Sequence, residues 1–133
     1  MSVKKLSSLP IVVVYNMRSL LPKLFSWAED FEERSVGLGV LTEIWEKSTN
    51  NEHQDKLEDL FEMKGILYIS TPRPGRKRGG GVALAADPNK FSLSKLNVQN
   101  PHNLEVVWGL LKPKIVTGSF SKIICCSFYS PPN

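Results

Sequence analysis

The sequence predicts a mixed α/β domain built in layers, and three observations support this fold class. Apolar runs typical of β-strands alternate with segments whose apolar residues recur at helical spacing, in the order β-α-β-α-β. After these elements the chain continues mostly as strand patterns. Its length of 133 residues fits one domain, or part of a larger one. This order of elements favours a layered α/β domain over a helical bundle or a pure β-sandwich.

The β-strands are predicted from short runs of β-branched, aromatic and small apolar residues. The first run, residues 11–15, is apolar throughout and has no helical period, so we expect a fully buried strand. Similar runs follow along the chain, and turn-forming residues separate some of them, such as the Asp-Pro-Asn sequence at 87–89. These further predicted strands are residues 37–41, 66–71, 82–86, 91–96, 104–111 and 122–129.

Two helices are predicted from the spacing of apolar residues. The first has one apolar stripe at intervals of four, three and four, formed by Leu20, Leu24, Trp27 and Phe31. Ser19 is its candidate N-cap, and Pro22 is tolerated because it lies in the first turn. The second helix is predicted over residues 51–63 and stops at Gly65. We expect both apolar stripes to pack in the core.

Composition and charge exclude several classes of protein. With 41% hydrophobic and 23% charged residues, the chain is close to the globular average, which excludes disorder as its main state. Its apolar runs are far shorter than the ~20 residues that span a bilayer, so we expect no membrane partner. The net charge of +4 and the pI near 9.1 permit a polyanion as a partner without requiring one.

The N-terminal sequence and the cysteines predict an intracellular protein, nuclear or cytoplasmic and not secreted. Residues 1–16 lack a secretory signal, because only five apolar residues follow Pro10 before Asn16 interrupts them. Cys125 and Cys126 are adjacent, so on a strand their side chains point to opposite faces and are badly placed to form a disulfide. We interpret them as small core residues in a reducing compartment.

Three polar residues follow predicted strands at the point where each strand ends. They are Asn16, Glu43 and Tyr129. In layered α/β folds, ligands often bind at the ends of strands, because the scaffold is rigid there and side chains reach solvent. Glu43 offers a carboxylate suited to magnesium, and Tyr129 offers a phenol that can donate a hydrogen bond. Each residue also has a structural alternative: a turn cap for Asn16, a solvated carboxylate for Glu43 and a core position for Tyr129.

Five motifs in a fixed order indicate a family. They are NMRSLLPKL at 16–24, LTEIW at 41–45, RGGGVAL at 78–84, LEVVW at 104–108 and CSFYSPPN at 126–133. Together they resemble the endonuclease/exonuclease/phosphatase superfamily, whose fold is the DNase I-like two-sheet α/β sandwich. More narrowly, they resemble the endonuclease domain of non-LTR (LINE-type) retrotransposons. The resemblance implies that residues 11–133, after a tail at 1–10, form the N-terminal part of such a domain.

The resemblance also implies roles for individual residues. Glu43 would hold the divalent metal, Mg²⁺ or Mn²⁺, and Asn16 would lie at the same phosphate and metal site. Tyr129 would contact the scissile phosphate, and Asn133 closes the same motif. Glu105 matches a family position on a strand beside the site, for which we expect no direct role. No small-molecule cofactor is expected.

Two family motifs are missing from these 133 residues. The sequence contains no Gly-Asp-x-Asn motif, which positions the attacking water in family members, and no Ser-Asp-His motif. His53 and His102 lie in polar surroundings typical of solvated histidines and do not replace the missing one. Because residues that act as a unit are strongly non-additive, we expect the isolated chain to be an inactive, truncated domain. The strand at 122–129 would then expose an apolar edge, which predicts self-association.

A basic loop separates the third and fourth predicted strands. The sequence TPRPGRKRGGG at 71–81 places four basic residues beside three glycines, namely Arg73, Arg76, Lys77 and Arg78. Arg and Lys contacts to phosphates are the main sequence-independent source of DNA affinity. The loop is equally typical of a solvated hairpin tip, and its basic cluster resembles a nuclear-localisation signal.

The resemblance therefore implies a fragment of a magnesium-dependent endonuclease that nicks target DNA for retrotransposition. One alternative within the superfamily is a phosphatase that acts on a phosphoinositide or another phosphorylated headgroup. Another alternative, from a different class, is a non-catalytic nucleic-acid-binding relic that keeps the basic loop. A duplex DNA titration with a steep salt dependence favours the nuclease over the phosphatase.

Overall fold

A computed structural model describes residues 10–45, 51–73, 79–99, 104–114 and 121–130, with the backbone alone described for 51–55. Most of the predicted tail at 1–10 lies outside these residues. Among the described helices, none is both long and apolar enough to cross a membrane.

The elements follow the predicted order. The helical segments are a short 3₁₀ turn at Leu21–Lys23, helix α1 at Leu24–Glu33 and helix α2 at Asn51–Met63. The strands are β1 Ile11–Asn16, β2 Val36–Thr42, β3 Leu67–Thr71, β4 Val82–Ala86, β5 Phe91–Leu96, β6 Glu105–Pro113 and β7 Ile123–Tyr129.

The strands form two sheets that pack face to face. The first sheet has the order β1-β2-β4-β3, with β1 parallel to β2 and the other pairs antiparallel. The second sheet is antiparallel and has the order β5-β6-β7. Its residues Val107 and Leu111 pack against Leu38 and Leu84 of the first sheet in one buried cluster. The chain is thus a mixed α/β structure, as its pattern of elements predicts, and it has the two sheets that the family resemblance implies.

Helices α1 and α2 cover the other face of the first sheet. All four residues of the predicted α1 stripe are buried, and so are Leu57 and Phe61 of α2. The Phe61 ring stacks on Tyr68 with centroids 4.3 Å apart, and it meets the edge of Trp27 at 5.9 Å. Burial of these rings removes a large apolar area from water and fixes the helices on the sheet.

Two local predictions are wrong. Strand β1 is not fully buried, because it lies at the edge of its sheet, and Val14 is 71% exposed. Ser19 is not a helix cap, because the 3₁₀ turn separates it from α1 and its backbone is left-handed, with φ of 82°. The backbone amide of Ser19 donates instead to the carbonyl of Glu43, at 2.9 Å.

A buried hydroxyl joins the two sheets and provides a testable prediction. Ser127 Oγ in β7 donates to the carbonyl oxygen of Leu41 in β2 at 2.8 Å, and Ser127 is fully buried. We expect Ser127→Ala to lower the free energy of unfolding by about 1–3 kcal/mol, because a buried acceptor loses its donor. Urea denaturation measures the change.

The control for this prediction is Ser26→Ala. Ser26 Oγ donates to the carbonyl of Lys23 at 3.1 Å, and it does so in an exposed position. Water can replace the hydroxyl there, so we expect a much smaller loss. Equal effects of the two substitutions would show that the hydrogen bond between the sheets adds nothing to their docking.

Candidate functional site

The carboxyl ends of β1 and β2 lie side by side. Asn16 is paired in parallel register with Thr42, and the amide of Met17 donates to the carbonyl of Thr42 at 2.8 Å. Glu43 comes directly after Thr42, so Asn16 and Glu43 both lie at the end of the first sheet where β1 and β2 terminate. Asn16 is exposed, whereas Glu43 is half-buried.

The backbone beyond these two strands is strained. Arg18, Ser19, Glu43 and Trp45 are left-handed, with φ between 48° and 82°. A residue other than glycine costs on the order of 1–2 kcal/mol in this conformation, and such strain is concentrated at functional sites. The two segments support each other, because the amide of Leu20 donates to the carbonyl of Ile44 at 3.1 Å. Glu43 is therefore presented by a fixed, strained turn.

Tyr129 brings the second sheet to the same place. Its phenol Oη donates to Glu43 Oε1 at 3.3 Å, across 86 positions of the sequence. Burial raises the pKa of Tyr129, and the negative charge of Glu43 and its hydrogen bond raise it further, while Arg73 opposes them. The phenol therefore stays protonated at neutral pH and acts as a hydrogen-bond donor.

A buried ion pair lies beside Tyr129. Glu105 is 6% exposed, and its Oε2 accepts from Arg73 Nε at 2.7 Å. Its other oxygen, Oε1, accepts from the backbone amide of Gly81 at 2.5 Å. Glu105 is the direct cross-strand partner of Tyr129, and the Arg73 guanidinium lies 5.9 Å from the Tyr129 ring centroid. The Glu105 carboxylate of β6 thus connects Arg73, which follows β3, to Gly81, which precedes β4.

Glycines make the close approach of Arg73 possible. Residues 79–81, the glycine loop, all have positive φ, between 71° and 87°. A Cβ atom on Gly80 would collide with the Arg73 guanidinium. The same loop holds the Glu43 turn, because the carbonyl of Gly80 accepts from the amide of Trp45 at 2.8 Å. Only glycine combines this conformation with this contact.

The role of Glu105 is the feature that sequence reasoning missed. A signal for it was present, because a carboxylate at the start of the apolar strand LEVVW is buried only when a cation pairs with it. The partner is Arg73, which the sequence assigned to a DNA-contacting loop. Its side chain is only 13% exposed.

The remaining predicted site residues lie outside the described part of the chain. They are Arg76, Lys77, Arg78 and Asn133. His102 is outside it as well, and His53 is described only as backbone within α2. Cys125 and Cys126 are both free, and burial, with Cys126 beside it, raises the pKa of Cys125 to about 11. Both cysteines are half-buried, so they are not the core residues that the sequence predicts.

The residues present fit a magnesium site with few protein ligands. The described residues contain no group of three or more His, Cys, Asp or Glu that could hold a metal. Mg²⁺ usually takes only one or two protein carboxylates, together with waters and substrate phosphates. Glu43 is a half-buried carboxylate at the end of the first sheet where β1 ends in Asn16, and it could serve as one such ligand.

Comparisons with known proteins support the fold. No protein-family model and no curated protein matches the sequence. The structure is similar to a crystal structure of ANGEL2, described as a 2',3'-cyclic phosphatase, with a TM-score of 0.58 and 16% identity. A second ANGEL2 structure, in complex with adenosine-2',3'-vanadate, gives a TM-score of 0.54 at the same identity.

The match spans most of this chain but less than half of its neighbour. It covers 88% of this chain and 40% of the ANGEL2 chain in the first structure, and 86% and 35% in the second. The chain therefore has part of the DNase I-like α/β fold that the sequence predicts. The likeness concerns the fold, and the narrower resemblance to LINE-type endonucleases stays a prediction.

Proposed function

We propose that this chain carries the metal-binding part of a phosphodiesterase site that acts on DNA. Glu43 would hold Mg²⁺ or Mn²⁺, Asn16 would assist it, and Tyr129 would contact the phosphate. The observation that carries the proposal is the hydrogen bond from Tyr129 Oη to Glu43 Oε1. This hydrogen bond connects the two sheets at the end of the first sheet where β1 and β2 terminate, so side chains from both sheets meet at one place.

The residues of this chain would each contribute one part of the chemistry. The phenol of Tyr129 has a single O–H, which it donates to Glu43 Oε1 in this structure. To contact a bound phosphate it would move this hydrogen bond from Glu43 to a phosphate oxygen. The amide of Asn16 offers both a donor and an acceptor at the same edge. A divalent cation at Glu43, when bound, supplies Lewis-acid polarisation of the phosphoryl group. The water-positioning motif is not among these residues, so binding is the property to measure.

The choice of DNA as substrate rests on the resemblance of the motifs to LINE-type endonucleases and on three basic residues of the loop sequence, Arg76, Lys77 and Arg78. The fourth, Arg73, is paired with Glu105 and does not support this choice. By the same resemblance, the complete domain would nick target DNA for retrotransposition. A second candidate is a phosphatase of the same superfamily, and one observation favours it. Both structural neighbours are described as a 2',3'-cyclic phosphatase.

Metal binding tests the proposal directly. We expect the chain to bind Mn²⁺ in a titration followed by electron paramagnetic resonance, and we expect Glu43→Gln to abolish that binding. The substitution preserves the shape of the side chain and removes the charge that a hard divalent cation requires. The matched control is Glu58→Gln, an exposed carboxylate on α2. Unchanged Mn²⁺ affinity in Glu43→Gln would remove Glu43 from the metal site.

A ligand comparison separates the two substrates. The chain is titrated with labelled duplex DNA and with adenosine 2',3'-cyclic phosphate, each at several salt concentrations. A nuclease predicts DNA binding that weakens steeply with salt, because each contacted phosphate releases counterions. Saturable binding of the cyclic nucleotide with no DNA affinity supports the phosphatase.

A further inference from the structure

We propose that Arg73 and Glu105 are positioning residues that hold the phenol of Tyr129 over Glu43. The proposal rests on the proposed function, because it assigns the buried ion pair to the same site. Neither residue needs to touch the metal or the phosphate. Glu105 fixes the guanidinium, the guanidinium supports the tyrosine ring, and the ring directs its hydroxyl to Glu43.

The first step of the argument is the fixed position of the guanidinium. Arg73 Nε donates to Glu105 Oε2 at 2.7 Å, and the two side chains are 13% and 6% exposed. The backbone of the glycine loop packs against the guanidinium as well, because a Cβ atom on Gly80 would overlap the guanidinium. Glu105 also accepts from the amide of Gly81, so the carboxylate cannot turn away without losing a second buried partner. The planar group of Arg73 is therefore held from two sides.

The second step is the contact between this fixed group and Tyr129. The Arg73 guanidinium carbon lies 5.9 Å from the centroid of the Tyr129 ring, within the range of a cation–π interaction. Glu105 is directly opposite Tyr129 in the β6/β7 pair, so the ion pair and the ring are neighbours on one sheet. The ring is thus supported where its hydroxyl reaches Glu43 Oε1 at 3.3 Å.

The third step is that stability alone does not account for the pair. Replacing a buried ion pair by well-packed hydrophobic side chains of similar volume is often neutral or stabilising, so such a pair adds little net stability. Groups that orient a metal ligand from behind, in contrast, affect metal affinity strongly, typically by 10–100-fold. The Arg73–Glu105 pair contacts the Tyr129 ring, and Tyr129 in turn contacts the proposed metal ligand Glu43. The pair therefore has the geometry of groups that orient a metal ligand.

The experiment compares the wild type with Arg73→Gln/Glu105→Gln in the 133-residue chain. The double variant removes both charges together, and the new amide oxygen at position 105 can still accept from Gly81. Nuclear magnetic resonance with isotope-labelled tyrosine follows the contact between the Tyr129 ring and the Glu43 side chain. Tyr129→Phe identifies the Tyr129 signals. A remote, exposed pair provides the control, Asp30→Asn/Arg34→Gln.

We expect the double variant to unfold at nearly the wild-type temperature, to lose the contact between Tyr129 and Glu43, and to bind Mn²⁺ about 10-fold more weakly. The control pair should change none of these. A folded double variant that keeps both the contact and the Mn²⁺ affinity would overturn the proposal, and the pair would then be purely structural.

A second variant keeps the test decisive if the double variant does not fold. Arg73→Lys keeps the charge opposite Glu105 but removes the planar group beside the ring, so we expect the same loss of the Tyr129–Glu43 contact. A retained contact in Arg73→Lys contradicts the proposal. The two proposals fail separately: a wild-type chain that binds no Mn²⁺ rejects the metal site, whereas the tyrosine contact is read without metal.

Discussion

Replacing Glu105 by alanine is expected to lower the free energy of unfolding by about 3–5 kcal/mol. The substitution leaves the largely buried guanidinium of Arg73 without its carboxylate and the amide of Gly81 without its acceptor. An uncompensated buried charge costs far more than the ion pair itself contributes. Chemical denaturation of the purified chain, followed by circular dichroism, measures the change.

An exposed ion pair gives the matched comparison for Glu105. Arg34 and Asp30 form an i,i+4 pair at 3.0 Å, and their side chains are 59% and 41% exposed. We expect Asp30→Ala to cost at most about 1 kcal/mol, because water replaces the lost partner. If Glu105→Ala were as mild as Asp30→Ala, the Arg73–Glu105 pair would be hydrated in solution and could not fix the geometry of the site.

Phe61→Ala is expected to have an effect of similar size through a different cause. Phe61 is fully buried between α2, α1 and the first sheet, with its ring stacked on Tyr68 and set against the edge of Trp27. Removing a buried phenyl ring loses its transfer free energy and leaves a cavity that the sheet cannot fill, at a cost of about 3–5 kcal/mol. Thermal and urea unfolding both report this loss.

Phe25 provides the control for Phe61. It lies on α1 but is 51% exposed, and it contacts the ammonium group of Lys64, 4.9 Å from the ring centroid. We expect Phe25→Ala to cost about 1 kcal/mol or less, since an exposed cation–π contact contributes roughly 0.5–1 kcal/mol. Similar costs for Phe25→Ala and Phe61→Ala would mean that α2 does not pack on the sheet as described.

Much of the fold could be predicted because local patterns determine the elements. The apolar stripe predicts α1. The apolar runs between turn residues predict the strands to within one or two residues of their observed bounds. Burial of β1 could not be predicted in the same way. An apolar run indicates a strand, but whether a neighbour covers Val12 and Val14 depends on the order of strands in the sheet.

The candidate site shows the same division between local and distant information. The positions of Glu43 and Tyr129 at strand ends follow from the sequence pattern. Their contact does not, because it depends on how the two sheets pack. The pairing of Glu105 with Arg73 joins residues 32 positions apart across an interface that no periodicity describes. Charge compensation predicts that a buried carboxylate has a partner, but not which of several basic residues it is.

The separation of the site residues along the chain also determines when the site can form. Glu43 and Tyr129 are 86 residues apart, as are Leu41 and Ser127, whose hydrogen bond joins the sheets. At a synthesis rate of ~5–20 residues per second, Tyr129 follows Glu43 by on the order of ten seconds. The first sheet and its helices can fold in that time, because all of their residues precede β5 in the chain. The Glu43 turn is therefore made well before its phenol partner, and the site is completed only when the second sheet docks.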